Sequence, residues 1–77
     1  MALNANLKQV TNKILTKQLT PTKIYKSVCA GYYTIEIHSL NRLDSFCFKT
    51  ELERDANYYY LEVKVFYTLA FNPYINC

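Results

Sequence analysis

The sequence predicts a single small α+β domain covering residues 1–77, in which two N-terminal helices pack on one face of a three-stranded antiparallel β-meander (ααβββ). Two patterns support this prediction: apolar residues recur at the helical period in the first third of the chain, and they alternate with polar residues from Tyr32 onward. A chain of 77 residues has room for only one hydrophobic core. With 51% hydrophobic and 19% charged residues, it is too apolar to be intrinsically disordered.

The first helix is predicted over residues 3–19. Four apolar residues recur there at intervals of three and four positions, which is the pattern of an amphipathic helix. They are Leu3, Leu7, Val10 and Ile14. This helix is expected to end before Pro21, because a proline disfavours the helical conformation of the residue that precedes it.

A second, shorter helix is predicted between Pro21 and Gly31. Thr20 followed by Pro21 matches an N-cap and a first helical position. Ile24 and Val28 are one helical turn apart, and Gly31, the only glycine, lies where a helix end favours a left-handed residue. Both helices are then expected to share one side of the sheet.

Three strands are predicted after the helices, over residues 32–39, 44–52 and 58–69. β-branched and aromatic residues are frequent in all three, as pleated sheets favour. The predicted turns are Asn41-Arg42 and the segment 54–57, and the first of them places Ile35 opposite Phe48. In this register the apolar residues share one face, and the other face stays open to solvent.

A competing interpretation concerns the segment after the second strand. Thr50-x-x-Glu53 has the form of a capping box, which begins many helices. With such a cap, residues 51–58 form a helical turn instead of a strand end and a hairpin. The sequence leaves both interpretations open.

The charge distribution is asymmetric. Residues 1–30 contain five lysines and no acidic residue, whereas residues 31–77 contain four basic and six acidic residues, a net charge of −2. Such polarity can steer a chain toward phosphate groups or an acidic protein surface. The predicted basic helical face consists of Lys13, Lys17, Lys23 and Lys26. The same lysines are also compatible with ordinary solvated helix surfaces.

Aromatic residues are unusually frequent, with eight Tyr and four Phe. In the predicted meander, several project from the open sheet face, and aromatic side chains with a polar group are enriched in binding hot spots. The predicted partner-binding residues are Tyr32, Tyr58, Tyr60, Phe66 and Lys64. In the alternative interpretation, the C-terminal segment 70–77 folds back over this face and buries it.

The predicted third strand, 58–69, is long and lies at the edge of the sheet. Unpaired backbone groups at such an edge attract another strand. The sequence therefore predicts a homodimer, or strand addition to a partner protein, through residues 58–69.

The sequence contains no residue combination typical of catalysis or metal binding. The single histidine, His38, is predicted on the open sheet face opposite Ser45, without a convergent acid. Cys29, Cys47 and Cys77 are odd in number and include no C-x-x-C pair, so a zinc site or a disulfide framework is not expected. Cys29 is predicted in the core and Cys47 on the open sheet face. We expect no enzyme activity, no cofactor and no metal.

No apolar run reaches the length of a membrane helix, and the N-terminus lacks the pattern of a secretory signal. We therefore expect a cytoplasmic protein, located in the host-cell cytoplasm if it is phage-encoded.

Two helices followed by a meander, with a basic and then an acidic part, loosely resemble small ribosome-dependent ribonuclease toxins of the RelE/ParE type. Those toxins begin with a strand and carry Arg, Lys and Tyr or His on the sheet, and this chain departs on both points. The short length, the abundance of Asn, Lys, Ile and Tyr, and the lack of a catalytic set are similar to small phage or mobile-element proteins that inhibit host machinery, including anti-CRISPR proteins.

The predicted function is therefore non-enzymatic binding of a host protein, with inhibition by steric occlusion. The alternative is a nucleic-acid-binding protein or a RelE-like ribonuclease toxin that uses the basic residues.

Overall fold

The computed structural model describes residues 3–70, which form a helix, a three-stranded antiparallel sheet and a second helix. The elements in chain order are α1 (Ala5–Leu15), β1 (Pro21–Cys29), β2 (Tyr32–Ser39), β3 (Arg42–Phe48) and α2 (Glu51–Leu61), and α2 continues as a π-helical segment (Glu62–Tyr67). The α+β class with a β1-β2-β3 meander is confirmed. The predicted order ααβββ is wrong, because one helix precedes the sheet and the other follows it.

Helix α1 forms with its apolar stripe facing the core, as predicted. Leu7, Val10 and Ile14 are buried. The Asn4 side chain caps the helix by accepting a hydrogen bond of 3.0 Å from the Leu7 amide. The helix ends earlier than predicted, since Lys17 adopts a left-handed conformation with φ of 67°.

The predicted second helix is wrong, because this segment is strand β1. Ile24 and Val28 lie on the same face of the strand, opposite Ile37 and Tyr33 of β2. An interval of four residues places two side chains together on a helix and also on a strand, so it could not distinguish the two. The strand forms because pairing with β2 satisfies the backbone groups along one of its sides, and because Ile24 becomes buried in the core with 1% of its surface exposed.

The β1–β2 hairpin turns at Ala30 and Gly31, between the paired residues Cys29 and Tyr32. Both turn residues have positive φ, 52° and 82°, as tight hairpin turns require.

We expect Gly31→Ala to lower the free energy of unfolding by about 1 kcal/mol and Ala30→Asn to raise it by about 0.5 kcal/mol, because alanine disfavours this conformation and asparagine tolerates it. Urea unfolding of both variants measures these changes. A Cβ at Gly31 meets no atom within 4 Å, so an unchanged stability of Gly31→Ala contradicts the backbone explanation.

Strand β2 forms as predicted, whereas β3 both begins and ends earlier than the predicted 44–52. The predicted turn at 54–57 is wrong, because these residues lie inside α2. The turn between β2 and β3 lies at Leu40-Asn41, one position before the predicted turn, so that Ile35 lies opposite Phe46 and not Phe48. The difference in register is two residues. Each side chain therefore stays on its predicted face of the sheet.

The predicted third strand, 58–69, is helical, because this segment lies mostly in α2 and its π-helical continuation. The competing interpretation is confirmed: Thr50 caps α2 by accepting a hydrogen bond of 3.1 Å from the Glu53 amide. The buried hydrophobic residues of the segment are three and four positions apart, which buries one side of a helix. They are Tyr58, Leu61 and Val65. This segment provides no strand edge for pairing, and a homodimer stays a prediction.

Both helices and one face of the sheet contribute to a single hydrophobic core. Its buried residues are Leu7, Val10, Ile14, Ile24, Ile35, Ile37, Phe46, Phe48, Tyr58, Leu61 and Val65. The opposite surface of the sheet, here the outer sheet face, carries the alternate residues, among them Tyr25, Glu36, His38 and Cys47. Within residues 3–70, no helix is long and apolar enough to cross a membrane.

Candidate protein-binding site

The outward side of α2 carries a row of apolar and aromatic side chains, all of them exposed except the half-buried Ala56. They recur at intervals of three and four residues, from the first turn of α2 to the end of its π-helical segment. This outer α2 stripe consists of Leu52, Ala56, Tyr59, Val63 and Tyr67. Leu52 is 69% exposed, Tyr59 63%, Val63 38% and Tyr67 71%. An aligned row of large apolar side chains is typical of a surface that another molecule covers.

The outer α2 stripe lies on the side of the helix opposite to its buried residues, which are Arg54, Asn57, Tyr58, Leu61 and Val65. Asn57 is fully buried and links the two helices. Its Oδ1 accepts a hydrogen bond of 2.8 Å from the Asn4 amide, and its Nδ2 donates one of 2.8 Å to the Glu53 carbonyl. The stripe is therefore displayed on an anchored helix and not on a loop.

Arg54 anchors the N-terminal part of α2 to the sheet. Its side chain is 8% exposed, and Nη1 donates a hydrogen bond of 3.1 Å to the Ser27 carbonyl. The guanidinium lies 5.3 Å from the centroid of the Tyr33 ring. It also pairs with Asp55 at 3.1 Å and with Glu51 at 3.5 Å. Contacts with β1, β2 and α2 thus meet at one side chain.

A groove of about 420 Å³ opens on the central part of the stripe. It is lined by Ala56, Tyr59, Tyr60 and Val63 of α2 and by Leu3, which precedes α1. This volume is sufficient for a large side chain of a binding partner. The surface therefore offers both protruding rings and a recess.

Two charged residues, Glu53 and Lys64, border the stripe along one side, with Tyr60 between them. Glu53, Tyr60 and Lys64 are seven and four positions apart, which aligns them on a helix. The Lys64 Nζ lies 6.0 Å from the centroid of the Tyr60 ring. Neither Glu53 nor Lys64 forms an ion pair with another side chain of residues 3–70. Both charges are thus available to a partner.

The structure separates the residues predicted to bind a partner. Tyr60 and Lys64 border the outer α2 stripe, while Tyr32 is 48% exposed on the sheet. Tyr58 is 6% exposed and packs edge-to-face against the partly buried Phe66, with ring centroids 5.7 Å apart. The predicted placement of residues 58–66 on an open strand face is wrong, because the segment is a helix whose inner side enters the core.

The four lysines of the predicted basic helical face do not form one surface. Lys13 lies in the last turn of α1, and Lys17 follows the helix. Lys23 and Lys26 belong to β1 and point to opposite faces of the sheet. Lys23 Nζ lies 4.9 Å from the centroid of the Tyr25 ring, whereas Lys26 Nζ lies 3.6 Å from Asp55. The predicted face is wrong because two of its members lie in a strand.

His38 lies on the outer sheet face, as predicted, but opposite Leu43 and not Ser45. Its ring stacks on Tyr25 with centroids 5.4 Å apart, and Nε2 lies 3.2 Å from the Tyr25 hydroxyl. Cys47 is exposed on the same face, as predicted. Cys29 is also exposed, so its predicted core position is wrong: it is the last residue of β1, at the hairpin turn.

Among the residues that the structure describes, no group of three or more His, Cys, Asp or Glu side chains is placed to hold a metal ion. Cys77 and residues 71–77 of the proposed covering tail lie outside the described part of the chain.

The sequence-based interpretation missed the outer α2 stripe as a surface. With residues 58–69 as a strand, alternation places Tyr59 and Tyr67 on the buried face of the sheet, and Leu52 lies at the end of the predicted second strand. The signal that identifies the stripe is the interval of three and four residues that follows the Thr50 cap.

Comparison with known proteins gives no match: no protein-family model, curated protein or solved structure matches this chain.

Proposed function

We propose that this chain is a non-enzymatic protein-binding module whose contact surface is the outer α2 stripe. The observation that carries the proposal is the alignment of Leu52, Tyr59, Val63 and Tyr67 on the outward side of a helix whose other side is anchored in the core. A water-exposed row of this kind is unfavourable unless a partner covers it.

The stripe suits tight contact at a low entropic cost. Tyr59 and Tyr67 have few rotatable bonds and bury a large area, and their hydroxyl groups can form hydrogen bonds at the rim of an interface. Because α2 is fixed by Asn57 and Arg54, little of the binding energy is lost in ordering the surface.

The mode of action that we propose is steric occlusion of a host protein, as in a small phage or mobile-element inhibitor of the anti-CRISPR kind. A rigid domain that places one helix on its target blocks the target's own contacts without any chemical step. The target surface then presents an apolar groove or face to α2.

The test is capture of host proteins by the immobilised chain, comparing wild type with Tyr59→Ser/Val63→Ser. We expect the double variant to bind its partner at least about thirtyfold more weakly, because interface tyrosines near the centre of a contact carry much of its energy. Tyr32→Ser is the matched control, since Tyr32 is also exposed but lies on the sheet. Capture that is unchanged in the double variant contradicts the proposal.

Salt dependence distinguishes this proposal from binding through the lysines. An aromatic and apolar interface should change little between about 50 and about 200 mM salt, whereas a contact with nucleic-acid phosphates weakens steeply over that range. A steep loss would instead support the nucleic-acid alternative.

A further inference from the structure

We infer that the outer α2 stripe of one molecule pairs with the same stripe of a second copy of this chain, with the two α2 helices antiparallel. This inference rests on the proposed function, because it names the molecule that covers the same surface when no other partner is bound. Such a pair has a two-fold axis, so each contact between two different residues occurs twice.

The side chains of the stripe are complementary in size to those of the same stripe running in the opposite direction. Its midpoint lies next to Tyr59, and reversal about this point places Leu52 against Tyr67 and Ala56 against Val63 of the second copy. A larger side chain meets a smaller one in each of these contacts. Side chains of alternating size allow two helices to interdigitate closely.

The groove on the central part of the stripe provides a place for the ring of Tyr59 of the second copy. Tyr59 is 63% exposed. The groove of about 420 Å³ is lined by Leu3, Ala56, Tyr60 and Val63 and, along one wall, by Tyr59 of the same molecule. The two-fold axis makes the insertion reciprocal, so two rings become buried in one pairing. Two buried tyrosines contribute a large contact area at a low entropic cost.

The charges that border the stripe are also complementary between two antiparallel copies. Glu53 lies near the N-terminal end of α2 and Lys64 lies beyond its C-terminal end, on the same side of the stripe. Antiparallel pairing therefore places each Glu53 near the Lys64 of the other copy. The opposite side of the stripe carries Glu51, Asp55 and Glu62. Glu51 and Asp55 are already paired with Arg54, which weakens their repulsion between copies. Glu62 forms no ion pair within residues 3–70.

Sedimentation equilibrium of the wild-type chain from about 10 µM to about 1 mM tests the pairing. We expect a monomer–dimer equilibrium whose dissociation constant rises at least about thirtyfold in Tyr59→Ser/Val63→Ser and is unchanged in Tyr32→Ser. A wild-type chain that is monomeric at about 1 mM overturns the inference. So does a dimer that the double variant leaves intact while its thermal unfolding is normal.

Charge reversal tests the antiparallel orientation. Lys64→Glu and Glu53→Lys each turn two attractive contacts into repulsive ones, so each variant alone should dimerise about tenfold more weakly at low salt. An equimolar mixture of the two variants restores both attractions, and we expect dimerisation to return to the wild-type level. Lys13→Glu, an equal charge change on α1, is the control and should have no effect. A mixture that associates no better than either variant alone overturns the antiparallel arrangement.

The failure of this inference and the failure of the proposed function give different results. A monomeric chain that still captures a partner through Tyr59 and Val63 overturns the self-pairing and supports the proposed function. A dimer that depends on these residues, with partner capture that does not, supports the self-pairing and contradicts the proposed function.

Discussion

Replacing Arg54 with alanine is expected to lower the free energy of unfolding by about 3 kcal/mol, the loss that follows when a buried, multiply bonded charge is removed. The arginine side chain is 8% exposed, but its carboxylate partners Glu51 and Asp55 are 67% and 43% exposed, so the expected loss comes from its hydrogen bond to β1 and its packing and not from the ion pairs. Its loss leaves the Ser27 carbonyl without its donor of 3.1 Å and creates a void beside the Tyr33 ring. Urea unfolding followed by circular dichroism measures the change.

Two further arginine variants serve as controls for this prediction. Arg42→Ala removes an exposed guanidinium that is bonded to Asp44 at 2.7 and 2.8 Å, and we expect only a small effect because solvent screens this pair. The hydrogen bonds to Asp44, and then its negative charge, raise the pKa of Arg42 above its usual value. Arg54→Lys keeps the charge but loses the planar fork, and its stability should lie between those of wild type and Arg54→Ala. Equal losses for Arg42→Ala and Arg54→Ala contradict the anchoring role of Arg54.

The second large effect is expected for Asn57→Leu, which should lower the free energy of unfolding by about 2–3 kcal/mol because it removes both hydrogen bonds of a fully buried side chain, one of which links α2 to the N-cap of α1. Asn57 is fully buried, accepts from the Asn4 amide and donates to the Glu53 carbonyl. Leucine has a similar volume but can form neither bond. Hydrogen exchange should show the loss first in α1, whose N-cap is Asn4.

The matched control is Asn12→Leu, the same substitution at an exposed position of α1. We expect its stability to remain within about 0.5 kcal/mol of wild type, as for most surface substitutions. A loss at Asn57 no larger than at Asn12 would show that packing, and not the two hydrogen bonds, holds the helices together.

Helix α1 and strand β2 could be predicted because the spacing of apolar residues in each of them fits only one type of secondary structure. In α1, Leu7, Val10 and Ile14 fit only a helix, and in β2 the alternation around Ile35 and Ile37 fits only a strand. Even where the predicted register was two residues away from the observed one, the parity of the strand kept each side chain on the correct face.

The two wrongly predicted elements are the second helix and the third strand. Their residues are compatible with both a helix and a strand. Ile24 and Val28 are four positions apart, which aligns them on a helix and on a strand, and only pairing with β2 decides the outcome. In residues 58–67, tyrosine and valine favour strands by local propensity. The Thr50 cap and the burial of Leu61 and Val65 outweigh that preference.

The candidate site follows the same logic. Tyr60 and Lys64 are predicted on the open face of a strand, and in the structure they instead border the outer α2 stripe of a helix. Leu52, Tyr59 and Val63 were not identified, because a strand interpretation assigns them to a different surface from the one that a helix exposes. Which side chains are exposed to solvent depends on whether the segment is a helix or a strand. A wrong assignment therefore changes the predicted contacts of the whole segment.

The π-helical segment gives α2 a geometry that an uninterrupted α-helix lacks. In an α-helix, a step of four residues advances a side chain by about 40° around the axis, and a step of three moves it back by about 60°. The last two intervals of the outer α2 stripe are both four residues, so in an α-helix they would carry Tyr67 away from the line of the row. The wider turn of Glu62–Tyr67 offsets that rotation. Tyr67, four residues after Val63, therefore stays nearer to the line of the outer α2 stripe than it would in an uninterrupted α-helix. The exposed row is straighter over its last turn.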